Sequence, residues 1–100
     1  MYNSESELVS LIKDGGHDAF KLLLTSYDDF IKKIVNATDT HDDEKDDLYQ
    51  EGLIGLYKAV LSYSEDSGAT FSTYANVCIR HSIISALRRY NGIKNKKFRS

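Results

Sequence analysis

The sequence predicts an all-α protein, a compact bundle of about four helices. Three observations lead there. No segment shows the strict alternation of a half-buried strand, apolar residues recur at spacings of three and four, and a chain without proline is divided by three clusters of glycine and small polar residues. Those clusters are Gly15-Gly16, the stretch 36–43 and the stretch 64–70. One hundred residues suffice for one core, so the four segments are expected to form a single domain over 1–100.

The first helix is expected over about Glu5 to Asp14, with Leu8, Leu11 and Ile12 on its stripe and Ser4 as a possible N-cap. The second, about His17 to Ala37, is long and amphipathic, with Phe20, Leu23, Leu24, Tyr27, Ile31, Ile34 and Val35 on one side. The third, about Asp43 to Tyr63, opens on Asp42, Asp43, Glu44, Asp46 and Asp47, where carboxylates favour the positive end of the helix dipole. That run lacks the interleaved glycine and ligand spacing of a cation loop, so no metal is expected. Leu48, Gly52, Gly55, Leu56, Ala59 and Tyr63 share one face, and Leu53, Tyr57 and Leu61 form another, which predicts a central helix. Two glycines inside a helix cost up to ~1 kcal/mol each against alanine, so Gly52 and Gly55 predict close approach of a neighbouring backbone. Asp47, Gln50, Glu51 and Lys58 make up its polar face.

The fourth helix is expected over about Phe71 to Tyr90, capped by Thr70 or Ser72. Phe71, Ala75, Cys78, Ile79, Ser82, Ile83, Ala86 and Tyr90 form its core stripe. The opposite face is unusual, because Tyr74, Val77, His81, Ile84 and Arg88 follow at three or four residues, with Thr73 and Arg80 beside them. A second packing surface would explain Val77 and Ile84 but not the arginines. Cations for phosphate beside flat and apolar groups for bases point instead to nucleic acid. A basic tail, 91–100, with Lys94, Lys96, Lys97 and Arg99, is too polar to pack.

Charge is distributed to match. Residues 1–60 hold 6 Lys against 13 Asp and Glu, whereas residues 61–100 hold 7 Lys and Arg against 2 acids, and every one of those cations lies after Phe71. A polyanion is expected at the basic end and a different, basic partner at the acidic end. Hydrophobic residues at 41% and charged residues at 28% fit a soluble globular domain rather than a disordered tail, and no stretch is apolar enough for a membrane. The single cysteine, Cys78, precludes an internal disulfide, which makes a reducing cytoplasm the expected compartment. His17, His41 and His81 lie in three different segments, and there is no phosphate-binding glycine loop or nucleophile elbow, so a binding module without cofactor is expected rather than an enzyme.

DLYQEGLIGLYKAVLSY at Asp47 to Tyr63 and FSTYANVCIRHSIISAL at Phe71 to Leu87 together resemble region 2 of the bacterial sigma-70 family. The likeness covers most of the chain: 1–42 resembles regions 1.2 and 2.1, 43–63 region 2.2, and 64–90 regions 2.3 and 2.4. Cys78-Ile79 and the run SIISALRR are most similar to alternative factors of the sigma-H type. The resemblance implies core RNA polymerase as partner, through the coiled coil of its β′ subunit, with Asp47, Gln50, Glu51, Leu53 and Tyr57 as contacts. It also implies recognition and melting of the promoter −10 element, including the single-stranded non-template strand, and it admits an anti-sigma factor as a further partner.

The implied DNA contacts are Phe71, Thr73, Tyr74, Val77, Arg80, His81, Ile84, Arg88 and Arg89. Phe71 and Tyr74 match aromatic positions that trap a flipped adenine, Arg80 a contact to the backbone, and His81 with Ile84 the pair that reads the upstream edge of the element. Val77-Cys78 stands where principal factors carry two tryptophans, which predicts weaker stacking at the duplex fork by ~1 to 3 kcal/mol per lost contact. His81 and Ile84 replace a glutamine and a threonine, so the preferred −10 sequence is expected to differ. The chain ends before any segment resembling the −35-reading domain, as a fragment or a truncated regulator would. A regulator of a mobile element or toxin locus would share these motifs. A helical protein-binding adaptor would share the apolar faces but not the cations.

Overall fold

The structure is a computed structural model describing residues 5–99, with 93–99 as backbone only. It consists of α1 (Glu5–Lys13), α2 (His17–Asn36), α3 (Asp42–Ser62) and α4 (Phe71–Arg99), with a 3₁₀ turn at Glu65–Ser67. No strand occurs among the described residues, and none of their helices is long and apolar enough to cross a membrane. Ser4, expected as a cap, lies outside the described residues.

Each boundary has a local cause. Gly15 adopts φ 97°, and α1 ends in a Schellman motif in which Gly15 N–H donates to Ile12 O and Gly16 N–H to Leu11 O, both at 2.9 Å. At the end of α2, Ala37 N–H donates to Lys33 O and Ile34 O, while the Thr38 hydroxyl donates to Val35 O at 2.6 Å. Of the two expected caps for α4, Thr70 takes the role, its hydroxyl accepting from Thr73 N–H at 3.2 Å. The connection before it is held by Tyr63, whose hydroxyl donates to Ala69 O at 2.7 Å.

α3 lies between α2 and α4 and packs most extensively against α4. Leu23 and Ile31 of α2, Leu48 and Leu56 of α3, and Ile79 and Ile83 of α4 are fully buried, each contributing ~1.5 to 3 kcal/mol. The glycines of α3 permit this approach. A Cβ on Gly52 would stand 2.6 Å from Ile31 Cγ2, and one on Gly55 would stand 2.9 Å from the Cys78 carbonyl oxygen.

Four expectations need correction. Val9 and Ile12 form the buried side of α1, with Leu8 half-buried, whereas Leu11 is exposed. Ala19 joins the buried stripe of α2, on which Phe20, Leu24 and Ile34 are only half-buried. The second apolar face of α3 is not a core face: Leu53 is half-buried, and Tyr57 and Leu61 are exposed, while α3 spends its buried face, Leu48, Gly52, Gly55, Leu56, Ala59 and Val60, in the core. Finally, α4 continues past Tyr90 to Arg99. Lysine and arginine are good helix formers, there is no proline, and Gly92 alone does not stop the helix.

Candidate nucleic-acid and protein interfaces

On α4, burying Phe71, Ala75, Ile79, Ile83 and Ala86 turns Val77, His81, Ile84 and Arg88 outward, with Thr73 and Arg80 also exposed. Val77 is 62% exposed and Ile84 43%, so two aliphatic side chains remain in solvent on a face that also carries three cationic or titratable groups. Tyr74 is half-buried at the edge of this face. Its ring lies 5.8 Å from that of Tyr63, and its hydroxyl shares a 2.6 Å hydrogen bond with Ser62 Oγ. That bond fixes the ring without hiding it.

Two residues expected at DNA make contacts within the protein. Phe71 is 2% exposed and stacks edge-on against Tyr27 and Tyr63, so its ring belongs to the core beneath Tyr74. Tyr27 is itself fixed by a 2.6 Å hydrogen bond to Glu5, and burial together with that carboxylate raises its phenol well above the usual range. Arg89 turns toward α3, where Nη2 donates to Glu51 Oε2 at 3.2 Å. Tyr90 follows it, and burial, with the Asp47 and Glu51 carboxylates nearby, pushes its phenol up. The cationic positions Lys94, Lys96, Lys97 and Arg99 fall where only backbone is described.

Along α3, Asp47, Gln50 and Lys58 are exposed and Glu51 half-buried. Between them lie Ile54, 46% exposed, Tyr57 at 47% and Leu61 at 53%. Tyr57 meets Phe20 of α2 edge-on at 5.5 Å, which orients its ring. Sequence reasoning treated the outer face as polar and passed over Ile54. The signal was present in the spacing of Gln50, Ile54, Tyr57 and Leu61, which alternates four and three residues like the seam of a helix that meets another helix. Leu53 contributes only an edge, being packed against the core.

Electrostatics sharpen the division. Tyr49 donates a short hydrogen bond to Asp28, which also pairs with Lys32 at 2.9 Å. Those two partners hold the Asp28 carboxyl below the usual range, and burial with the Asp28 charge pushes the Tyr49 phenol up to about 12. No group of three or more His, Cys, Asp or Glu among the described residues could hold a metal ion. What is built here is a mixed acidic and apolar row on α3 beside a basic and apolar row on α4.

A model of sigma-70 region 2 matches residues 23–92. Among curated proteins, the chain is 30% identical over 84 residues to the RNA polymerase sigma-H factor of Bacillus licheniformis, covering 84% of this chain and 38% of that one. It is 33% identical over 86 residues to the sigma-28 factor of Bacillus thuringiensis subsp. kurstaki, covering 86% and 36% respectively. With the sigma factor FliA of Pseudomonas aeruginosa it shares 41% over 44 residues, or 44% of this chain and 18% of that one. The sigma-H likeness read from the sequence is thus met among its relatives, and the chain spans little more than a third of their length. No solved structure matches it.

Proposed function

Because this chain belongs to the sigma-70 family as a region 2 domain, we propose that it binds core RNA polymerase through α3 and the promoter −10 element through α4. The observation that carries the reading is the outward row of α4, where Val77 and Ile84 stay exposed among Arg80, His81 and Arg88. A row that alternates aliphatics and cations suits DNA, which offers bases to the first and phosphates to the second.

In this reading Asp47, Gln50, Glu51 and Tyr57 face the coiled coil of the β′ subunit, with Leu53 at the edge. The acids complement a basic partner, and Ile54 and Leu61 supply the apolar seam on which two helices settle. On α4, Tyr74 offers a fixed ring to an unstacked base, and Val77 is the wedge at the fork. Arg80 and Arg88 neutralise phosphate, while His81 and Ile84 meet base edges, Ile84 by apolar contact of the kind a thymine methyl accepts. Phe71 supports Tyr63, and Tyr63 supports Tyr74, so it acts as a positioning residue. With valine as wedge, strand separation draws less stacking energy than a tryptophan would give.

The test is capture of core polymerase followed by crosslinking to fork-junction DNA. Gln50→Ala and Glu51→Lys should each abolish capture, since reversing or removing a charge-assisted contact in a buried interface costs ~2 to 5 kcal/mol. Full retention by both variants would refute the α3 assignment. Failure of the captured wild type to crosslink would refute the α4 assignment.

A further inference from the structure

We infer that the cleft between the C-terminal half of α2 and the middle of α4 is a phosphate subsite, which carries the nucleic-acid face of α4 onto α2 through Lys33 and Arg80. This rests on the reading of α4 as the DNA face and extends it to a helix with no role so far.

Phe30, Lys33, Ile34 and Ala37 of α2 and Arg80 of α4 line a cleft of about 280 Å³. The Arg80 guanidinium lies over the Phe30 ring, 5.3 Å from its centroid. Stacking of this kind orients the planar fork while leaving its N–H donors free at the edges. Lys33 follows Phe30 by three residues, so its stem rises on the same side of α2. Both cations are exposed. Among the described residues the recorded ion pairs are Lys32–Asp28 and Arg89–Glu51, so neither Lys33 nor Arg80 is matched by a carboxylate.

Two unmatched cations over an apolar floor define the chemistry of the occupant. It must carry concentrated anionic oxygen for the cations and a carbon face for Phe30 and Ile34, as a sugar–phosphate unit does. A helix C-terminus would ordinarily repel an anion. Here the carbonyls of Lys33, Ile34 and Val35 are already engaged by Ala37 and Thr38. An acidic peptide shares the charge, but continuity favours nucleic acid. Arg80 directly precedes His81 and stands one turn from Val77 and Ile84, so a strand lying along α4 reaches the cleft without leaving the surface.

The experiment uses the full chain bound to core polymerase and a fluorescent fork-junction DNA, with anisotropy read across a potassium chloride series. Lys33→Ala and Arg80→Ala should each weaken binding and lower the slope of log affinity against log salt by up to ~0.7, the value for one phosphate contact on single strands. The double variant should lower it no further, because both cations serve one phosphate. Phe30→Leu, which keeps an apolar floor but removes the ring under Arg80, should weaken binding with little change in slope. Lys21→Ala, on an exposed part of α2 about 18 Å away, is the control for general charge. If Lys33→Ala behaves like Lys21→Ala while Arg88→Ala still weakens binding, the subsite is overturned and the DNA face of α4 stands. If the wild-type complex binds no DNA, both fall. Loss of polymerase binding by Lys33→Ala without DNA would assign the cleft to a protein and overturn the proposal. Unchanged thermal melting of the variants separates each outcome from misfolding.

Discussion

Replacing Gly55 by alanine should destabilise the protein, although alanine is the better helix former. The substitution gains up to ~1 kcal/mol of helix propensity. Against this, the new methyl would lie 2.8 Å from Ser82 Oγ and 2.9 Å from the Cys78 carbonyl oxygen. Ser82 can rotate, but the carbonyl is part of the α4 backbone, so the two helices must separate by several tenths of an ångström. Overpacking of this kind costs ~1 to 3 kcal/mol, and the rigid backbone contact places Gly55 in the upper half of that range. The net loss is ~1 to 2 kcal/mol, or a fall in Tm of about 4 to 16 °C for a domain of this size. Gly92→Ala supplies the opposite case. Nothing stands within 4 Å of a Cβ there, so the same change should raise helical ellipticity at 222 nm without lowering Tm. Circular dichroism melts of the three proteins decide the matter. A Gly55→Ala protein that melts at or above the wild-type temperature would refute the close-approach argument.

Tyr49→Phe should cost most stability at intermediate pH. The depressed Asp28 carboxyl stabilises the fold above its ordinary value of 3.8 and loses that contribution as pH falls through its folded value, whereas the raised Tyr49 phenol loses its contribution as pH rises from 10 toward about 12. Melts of the two proteins should therefore converge at both extremes, and a constant gap would contradict the pairing. Phe71→Ala should destabilise by ~3 to 5 kcal/mol in denaturant titrations, as expected for a buried ring; a small change would return Phe71 to the surface. In a selection on randomised −10 sequences, the double change His81→Gln with Ile84→Thr should shift the preferred base at the upstream edge by ~1 to 3 kcal/mol per altered contact. Arg88→Ala should weaken all sequences about equally, and an altered preference for it would show that the roles are reversed.

The bundle was legible because its breaks are chemical. Gly15-Gly16 can close a Schellman motif, Thr70 can cap, and the four apolar stripes have helical spacing, so helix number and the starts of the segments followed from local rules. The close crossing at Gly55 was legible for the same reason, since interior glycine without a packing role is simply unfavourable. Gly52, expected to meet a backbone too, makes room for the side chains of Ile31 and Ile83 instead. Partner choice between faces was less so. Tyr57 and Leu61 have core-like side chains, and that they remain exposed depends on tertiary packing rather than on their spacing. Phe71 begins a helix whose two faces both carry aromatics, and its depth depends on Tyr27 and Tyr63, which are distant in sequence. Arg89 could not be assigned from α4 alone, because Glu51 lies 38 residues earlier.

The crossing at Gly55 also has a geometrical consequence. With so little room at Gly55 that an added Cβ would stand 2.9 Å from the Cys78 carbonyl oxygen, α3 and α4 pack closely along their crossing and behave as one plate. Under the roles proposed for them, the plate acts as a protractor, fixing the angle at which promoter enters relative to enzyme before either ligand arrives. Substitutions at the crossing mild enough to leave the bundle folded would then spare each pairwise affinity and fail only when polymerase and DNA must be held together.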